Sequence, residues 1–186
     1  MTLRCHSDDA CIGSSSVADI HSTNKRLQQN VVATQRWCSS RRLQLNLSKT
    51  ELTGFGTRCS LQKITASDRL LQINDDIVIS DKPVVHDLGV LLDSELTMKR
   101  HINQVIRNCF HHIRRLKQIR RLLRPEVTVK LVTSLIYSRL DYCNAILAGL
   151  PISTISPLQR VQNAAARLVA QLRPLDHVTP TMRALH

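Results

Sequence analysis

Near residue 95 the chain changes both its charge and its apolar period, and that switch constrains the fold more than any other feature. Residues 1–95 hold 11 Lys/Arg and 11 Asp/Glu, a sum of zero, and mix helical spacing with alternating apolar runs. Residues 96–186 hold 15 Lys/Arg and 3 Asp/Glu, which supplies the whole net charge of +12, and their apolar residues recur at helical spacing. The expected architecture is therefore α+β, with a mixed region over 1–95 and a basic, all-helical region over 96–186. Aromatic residues make up 3% of the 186 and apolar residues 42%, so any core is aliphatic.

In the first region, residues 4–12 read as a short strand, a turn holding Asp8 and Asp9, and a second strand. Ser14, Ser15 and Ser16 offer helix N-caps, Ser16 pairing with Asp19 like a capping box. Val17, Ile20, Leu27, Val31, Thr34 and Cys38 fall on one helical face, as in an amphipathic helix lying on a sheet. Leu43, Leu45 and Leu47 alternate with polar residues like a half-buried strand, and residues 51–56 are another strand candidate. Residues 70–73 and 77–79 flank Asn74-Asp75-Asp76 and predict a hairpin. Residues 84–92 predict a strand broken by Gly89.

In the second region, Ile102, Val105, Ile106, Cys109, Ile113 and Leu116 form an apolar stripe on a long helix. Pro125 and Glu126 open the next helix. It is expected to run through Val129, Val132, Leu135 and Ile136 towards Leu147 and to stop at Gly149 and Pro151. Pro157 opens a third helix, with Leu158, Val161, Ala165 and Leu168 on one side. Asp141 is expected to be buried and paired with Arg139 or Arg167 in a structural role.

Several function classes are disfavoured. No stretch approaches the roughly 18 consecutive apolar residues of a membrane span, and the polar start does not read as a secretory signal. Cys5, Cys11, Cys38, Cys59, Cys109 and Cys143 are scattered without a CxxC pair, which predicts free thiols in an intracellular compartment, nuclear or cytoplasmic. His21, His111 and His112 lack partners at metal-ligand spacing, and the last two are expected to extend a positive face.

Asp8-Asp9 at a turn between strands can hold divalent cations, because hard oxygen ligands suit magnesium and nucleotidyl transfer uses two such ions. The pair also suits a plain surface turn, as Asp75-Asp76 does. Its surroundings add to it. His6-Ser7-Asp8-Asp9-Ala10, a helix, and then Asn46-Leu47-Ser48-Lys49-Thr50-Glu51 resemble the later palm of non-LTR (LINE-type) retrotransposon reverse transcriptases. That family has an aromatic-Ala-Asp-Asp box followed by Asn-x-x-Lys-Thr-Glu; here His6-Ser7 replaces aromatic-Ala. His86-Asp87-Leu88-Gly89-Val90-Leu91-Leu92-Asp93 is similar to the family's Leu-Gly-Val strand. Ser138-Arg139-Leu140-Asp141-Tyr142-Cys143-Asn144-Ala145 and residues 158–169 resemble the thumb of jockey-like elements, a pattern continued by Asp176-His177-Val178-Thr179-Pro180 and Leu185-His186.

The resemblance implies a partial antiparallel palm sheet with one packed helix over 1–95 and a helical thumb over 96–186. It implies Asp8 and Asp9 as magnesium ligands, Lys49 near an incoming deoxynucleotide, and Leu88 and Gly89 against the primer. Its activity is RNA-directed DNA synthesis, with an RNA template and DNA primer as partners. The family's third metal-binding aspartate and its fingers precede the matched segment, in an upstream part of a longer polypeptide. Two carboxylates underfill a two-ion site, so the chain alone is expected to bind template–primer without extending it.

Independently of that resemblance, residues 97–125 carry nine cations (Lys99, Arg100, Arg107, Arg114, Arg115, Lys117, Arg120, Arg121 and Arg124) and no acid. Arg100, Arg107, Arg114 and Arg121 recur every seven residues, along one side of a helix. A solvated helix face normally interleaves acids with its cations. Their absence predicts a polyanionic partner, held through its phosphates without reading sequence. The scarcity of aromatics gives little support to base stacking, and the polar first half offers no membrane anchor. Two rival classes are a non-catalytic nucleic-acid-binding or interaction module and a decayed element without selected function.

Overall fold

A computed structural model describes residues 2–5, 11–14, 19–46, 49–74, 77–142, 144–173 and 176–179. The chain divides into two compact units, Met1–Thr97 and Met98–His186. The fold is α+β, with small antiparallel sheets in the first unit and helices in the second.

In the first unit β1 (Thr2–Cys5) is the central strand of a three-stranded antiparallel sheet, between β2 (Cys11–Ser14) and β3 (Leu52–Phe55). Cys5 stands opposite both Cys11 and Leu52, so the end of β1 lies beside the start of β3. The strands expected within 4–12 and 51–56 are thus present, while residues 6–10 with Asp8 and Asp9 lie outside the described residues. α1 (Ile20–Ser40) buries Ile20, Thr23, Leu27 and Val31, the 3–4 spacing of one helical face. Ser15, Ser16 and Val17 lie outside the described residues. The observed N-cap is Asp19, whose side chain makes no cap bond. Leu27 and Val31 pack with Leu52, Leu71, Ile73 and Ile79, the aliphatic core that the composition requires. Burying each such side chain contributes about 1.5–3 kcal/mol.

The strand expected at Leu43 and Leu45 is absent among the described residues 43–46. α1 ends with Arg42 at φ 59°, the Arg42 N–H bonded to Ser39 O at 3.1 Å and the Leu43 N–H to Cys38 O at 2.9 Å. This paired ending turns the chain through a left-handed residue, and Leu45 then packs singly on the core. Leu47 lies outside the described residues.

β4 (Leu70–Asn74) and β5 (Ile77–Ser80) form the expected hairpin, with Asp75 and Asp76 outside the described residues. Instead of one strand broken by Gly89, β6 (Val84–Asp87) and β7 (Val90–Asp93) make a second hairpin. Leu88 and Gly89 have φ values of 45° and 86°. Positive φ at both central residues is what a two-residue type I′ loop demands. A short helix, α2 (Arg58–Gln62), follows β3, and the segment between the hairpins is fastened to β3. The Lys82 N–H bonds to Leu52 O at 2.9 Å, Thr53 Oγ1 donates to Lys82 O at 2.9 Å, and the Gly54 N–H bonds to Asp81 Oδ1 at 3.1 Å.

The second unit contains α3 (Lys99–Ile119), α4 (Pro125–Val132), a π-helical turn (Thr133–Tyr137), α5 (Ser138–Asp141), a 3-10 turn (Asn144–Leu147) and α6 (Ile152–Ala170). α3 packs along α6. α3 buries Ile102, Cys109, Ile113 and Leu116, while α6 buries Leu158, Val161, Ala165, Ala166 and Leu168. Pro125 stands at the start of α4 as expected, where its missing N–H costs nothing. The helix expected to run on to Leu147 stops at Asp141, because Tyr142 takes ψ 122°. Val129 on α4 is exposed, while Val132 is buried. α6 begins at Ile152, ahead of Pro157, which sits inside the helix. Pro157 has no N–H for the carbonyl of Ser153, and that oxygen instead accepts from Ser156 Oγ at 3.4 Å. Among the described residues no helix is long and apolar enough to cross a membrane.

Candidate nucleic-acid interface

An α-helix advances about 100° per residue, so positions seven apart drift only about 20° per step. Arg100, Arg107 and Arg114 on α3 therefore share one side, opposite the buried Ile102, Cys109 and Ile113. Arg121 continues that line in the 3-10 turn (Arg120–Leu122) after α3. All four are exposed, as are Lys99, Arg115, Lys117 and Arg124. Arg114 Nε donates to Phe110 O one turn back at 3.3 Å, which lays its side chain along the helix. With no acid anywhere in residues 97–125, this face is purely cationic. Its geometry suits phosphates on a neighbouring backbone.

Arg120 does not join it. It is 7% exposed, and its guanidinium is spent on main-chain oxygens. Nε donates to Leu168 O at 3.0 Å, Nη2 to Val169 O at 3.0 Å and Nη1 to Leu123 O at 3.1 Å. A cation there satisfies carbonyls at the negative end of α6. The expectation that Arg120 contacts phosphate is corrected to a structural role. A sequence signal for it exists: Arg120 lies four residues after Leu116 and seven after Ile113, on the continuation of the apolar stripe.

His111 and His112 meet edge to face, with ring centroids 5.6 Å apart. His111 is exposed and His112 half-buried. Burial, reinforced by the charges of Arg139, His111 and Arg115, pushes the His112 pKa down. His112 is thus held neutral more readily than a free imidazole, contrary to the expectation that it adds positive charge. Burial likewise pushes the Cys109 thiol up, while Arg139 opposes it. Arg139 therefore adds positive potential near α3, which its sequence position did not reveal. Asp141 is exposed, and among the described residues no ion pair joins it to Arg139 or Arg167, so the expected buried pair is not formed. It acts instead on Tyr137, whose hydroxyl pKa is raised by burial first and by Asp141 second.

The remaining candidates lie in the first unit. Lys49 is exposed, its N–H bonded to Asn46 O at 3.1 Å, three residues before β3 at the sheet end where β1 stops. Glu51 accepts from Lys82 Nζ at 2.8 Å and from the His86 N–H at 3.2 Å, tying the segment after Lys49 to β6. Leu88 is 76% exposed at the tip of the β6–β7 loop, with Gly89 beside it. Asp8 and Asp9 lie outside the described residues, and among the described ones no group of three or more His, Cys, Asp or Glu side chains can hold a metal ion. The fit of magnesium to this chain thus rests on the resemblance alone, and no step through it is derived.

Comparison with family models, with curated proteins and with solved structures finds no match to this chain.

Proposed function

We propose that the second unit binds the phosphate backbone of a template–primer duplex through the exposed side of α3. In this reading the chain is a palm-and-thumb piece of a non-LTR reverse-transcriptase lineage that does not extend a primer alone. The observation that carries it is the line of Arg100, Arg107, Arg114 and Arg121, exposed and unrelieved by any acid over residues 97–125. Like charges so arranged repel one another, and counterions released from a bound polyanion turn that cost into affinity. The palm assignment, the magnesium ligands Asp8 and Asp9, and the nucleotide-side role of Lys49 follow from the motifs alone.

The test is affinity for an RNA–DNA hybrid and a DNA duplex as a function of salt. Four phosphate contacts predict a log–log slope of about −3.6 on duplex DNA, from roughly −0.9 per contact. A flat response removes the backbone reading. A primer-extension assay with magnesium or manganese tests the rest. No incorporation is expected, and robust synthesis abolished by Asp8→Ala overturns the claim of inactivity.

A further inference from the structure

The last turns of α3 and α6 flank an open pocket of about 580 Å³ in the second unit. Its lining includes four cations, Lys117, Arg120, Arg121 and Arg167, beside apolar side chains such as Ile113 and Leu172, and among the described residues no carboxylate. Its volume lies within the range of ordinary small-molecule sites, but its wall is more cationic than theirs. Arg120 is already satisfied by its three carbonyls, and the Gln171 amide oxygen can face its guanidinium at 3.0 Å. Its charge, however, meets no acid in the pocket. Arg167 is the unfinished group, since its Nε is buried without a hydrogen-bond partner. A buried donor left open is costly and calls for an explanation.

We infer that this pocket binds a phosphomonoester, either the terminal phosphate of a nucleic-acid strand or a free nucleotide. A phosphomonoester near neutral pH carries close to two negative charges on three free oxygens. That matches Lys117, Arg121 and Arg167, and the forked guanidinium geometry suits phosphate. A phosphodiester within a strand carries one charge on two free oxygens, and its chain must leave on both sides, which a recess between two helices does not favour. The inference does not rest on backbone binding along α3, with which it shares the exposed Lys117 and Arg121.

Calorimetric titration of the full chain at fixed ionic strength tests it with four probes. These are deoxyadenosine 5′-monophosphate, deoxyadenosine, and one short strand with either a 5′-phosphate or a 5′-hydroxyl. The monophosphate should bind and the nucleoside should not. Arg167→Gln should weaken the monophosphate about tenfold, the loss expected for one charge-assisted bond, and leave the 5′-hydroxyl strand unchanged. Ala164→Glu puts a carboxylate among the cations; it should abolish monophosphate binding without lowering stability, which covers the case in which Arg167→Gln fails to fold. A 5′-phosphorylated strand binding more tightly than the same strand with a 5′-hydroxyl identifies a strand end as the natural source, and equal affinity of the two strands identifies a free nucleotide. Either supports the site. Absence of monophosphate binding, equal binding of the nucleoside, or indifference to both substitutions overturns it. Failure of the 5′-hydroxyl strand alone to bind counts against the backbone reading and not against the pocket.

Discussion

Carboxylates serve in the first unit where main-chain carbonyls serve in the second. Asp81 accepts from the Gly54 N–H and faces Arg69 at 3.5 Å, while Glu51 holds Lys82 at 2.8 Å and accepts from the His86 N–H. Asp93 takes both the N–H and the hydroxyl of Thr97, at 2.8 and 2.9 Å. In the second unit the buried Arg120 ends on three carbonyl oxygens, and the exposed line on α3 faces no acid in its own segment. These first-unit carboxylates hold strands and turns together. On α3 the cations are left facing outwards. A neutral segment can be self-contained, whereas a line of like charges is most stable against a polyanion.

The comparison breaks most sharply at Arg120. Arg120→Met strands three main-chain acceptors and should destabilise the chain by about 3 kcal/mol, since each buried polar group left open costs about 1–3 kcal/mol. Denaturant midpoints of the full chain measure it. Arg114→Met removes the same charge from an exposed position and should move stability by less than about 0.5 kcal/mol. Equal shifts for the two would erase the distinction between an arginine that builds the unit and one that faces a partner. Binding sharpens the same contrast. Arg107→Gln combined with Arg114→Gln should make the salt slope on duplex DNA less negative by about 1.8. Arg36→Gln, an exposed cation of the first unit, should leave that slope unchanged. If Arg36 matters as much as the α3 pair, charge counts and not the α3 line govern binding.

The elements legible in the sequence were those fixed by local periodicity. The apolar stripes of α1, α3 and α6, the β4–β5 hairpin and the strand at 52–55 follow from side-chain spacing, which the backbone period dictates. Chain reversals were harder to see. Arg42, Leu88 and Gln171 occupy left-handed positions usually marked by Gly or Asn, so the segment after α1 read as a strand and the β6–β7 hairpin as a single broken strand. Pro157 misled in the opposite direction, since a proline well inside a helix is tolerated here with a hydroxyl replacing its bond. On the candidate interface, the heptad of arginines was plain. The burial of Arg120 was written in the apolar stripe, but the carbonyls that receive it lie 48 and 49 residues away on α6, beyond any local pattern.

Leu88 offers a smaller effect that bears on the palm assignment. A leucine at φ 45° is strained by about 1 kcal/mol, which asparagine largely avoids. Leu88→Asn should therefore raise stability by about 1 kcal/mol in a thermal melt. The primer-contacting role implied by the resemblance requires a matching loss of template–primer affinity that does not vary with salt. Unchanged affinity leaves Leu88 as a turn residue alone.

The smallest effect tests whether the first unit's carboxylates are uniformly favourable. Burial raises the Asp81 pKa above its usual 3.8, only partly countered by the Gly54 N–H and by Arg69. A raised carboxyl pKa means that the folded chain keeps a proton to higher pH than the unfolded chain does. Between 3.8 and the folded value the folded state thus binds more protons, and stability from this group falls as pH rises. That contribution is fully present below the unfolded pKa and gone above the folded one, opposite in sign to a carboxylate whose pKa is depressed by a salt bridge. Asp81→Asn keeps an oxygen for the Gly54 N–H and gives up the charge facing Arg69, an exposed pairing worth less than about 1 kcal/mol. The wild type should show a downward step in stability above pH 3.8, and the variant should lose it. A step of the opposite sign in the wild type would mean that Arg69 outweighs burial, and that Asp81 is an ordinary ion-pair partner rather than a carboxylate retained for its bond to β3.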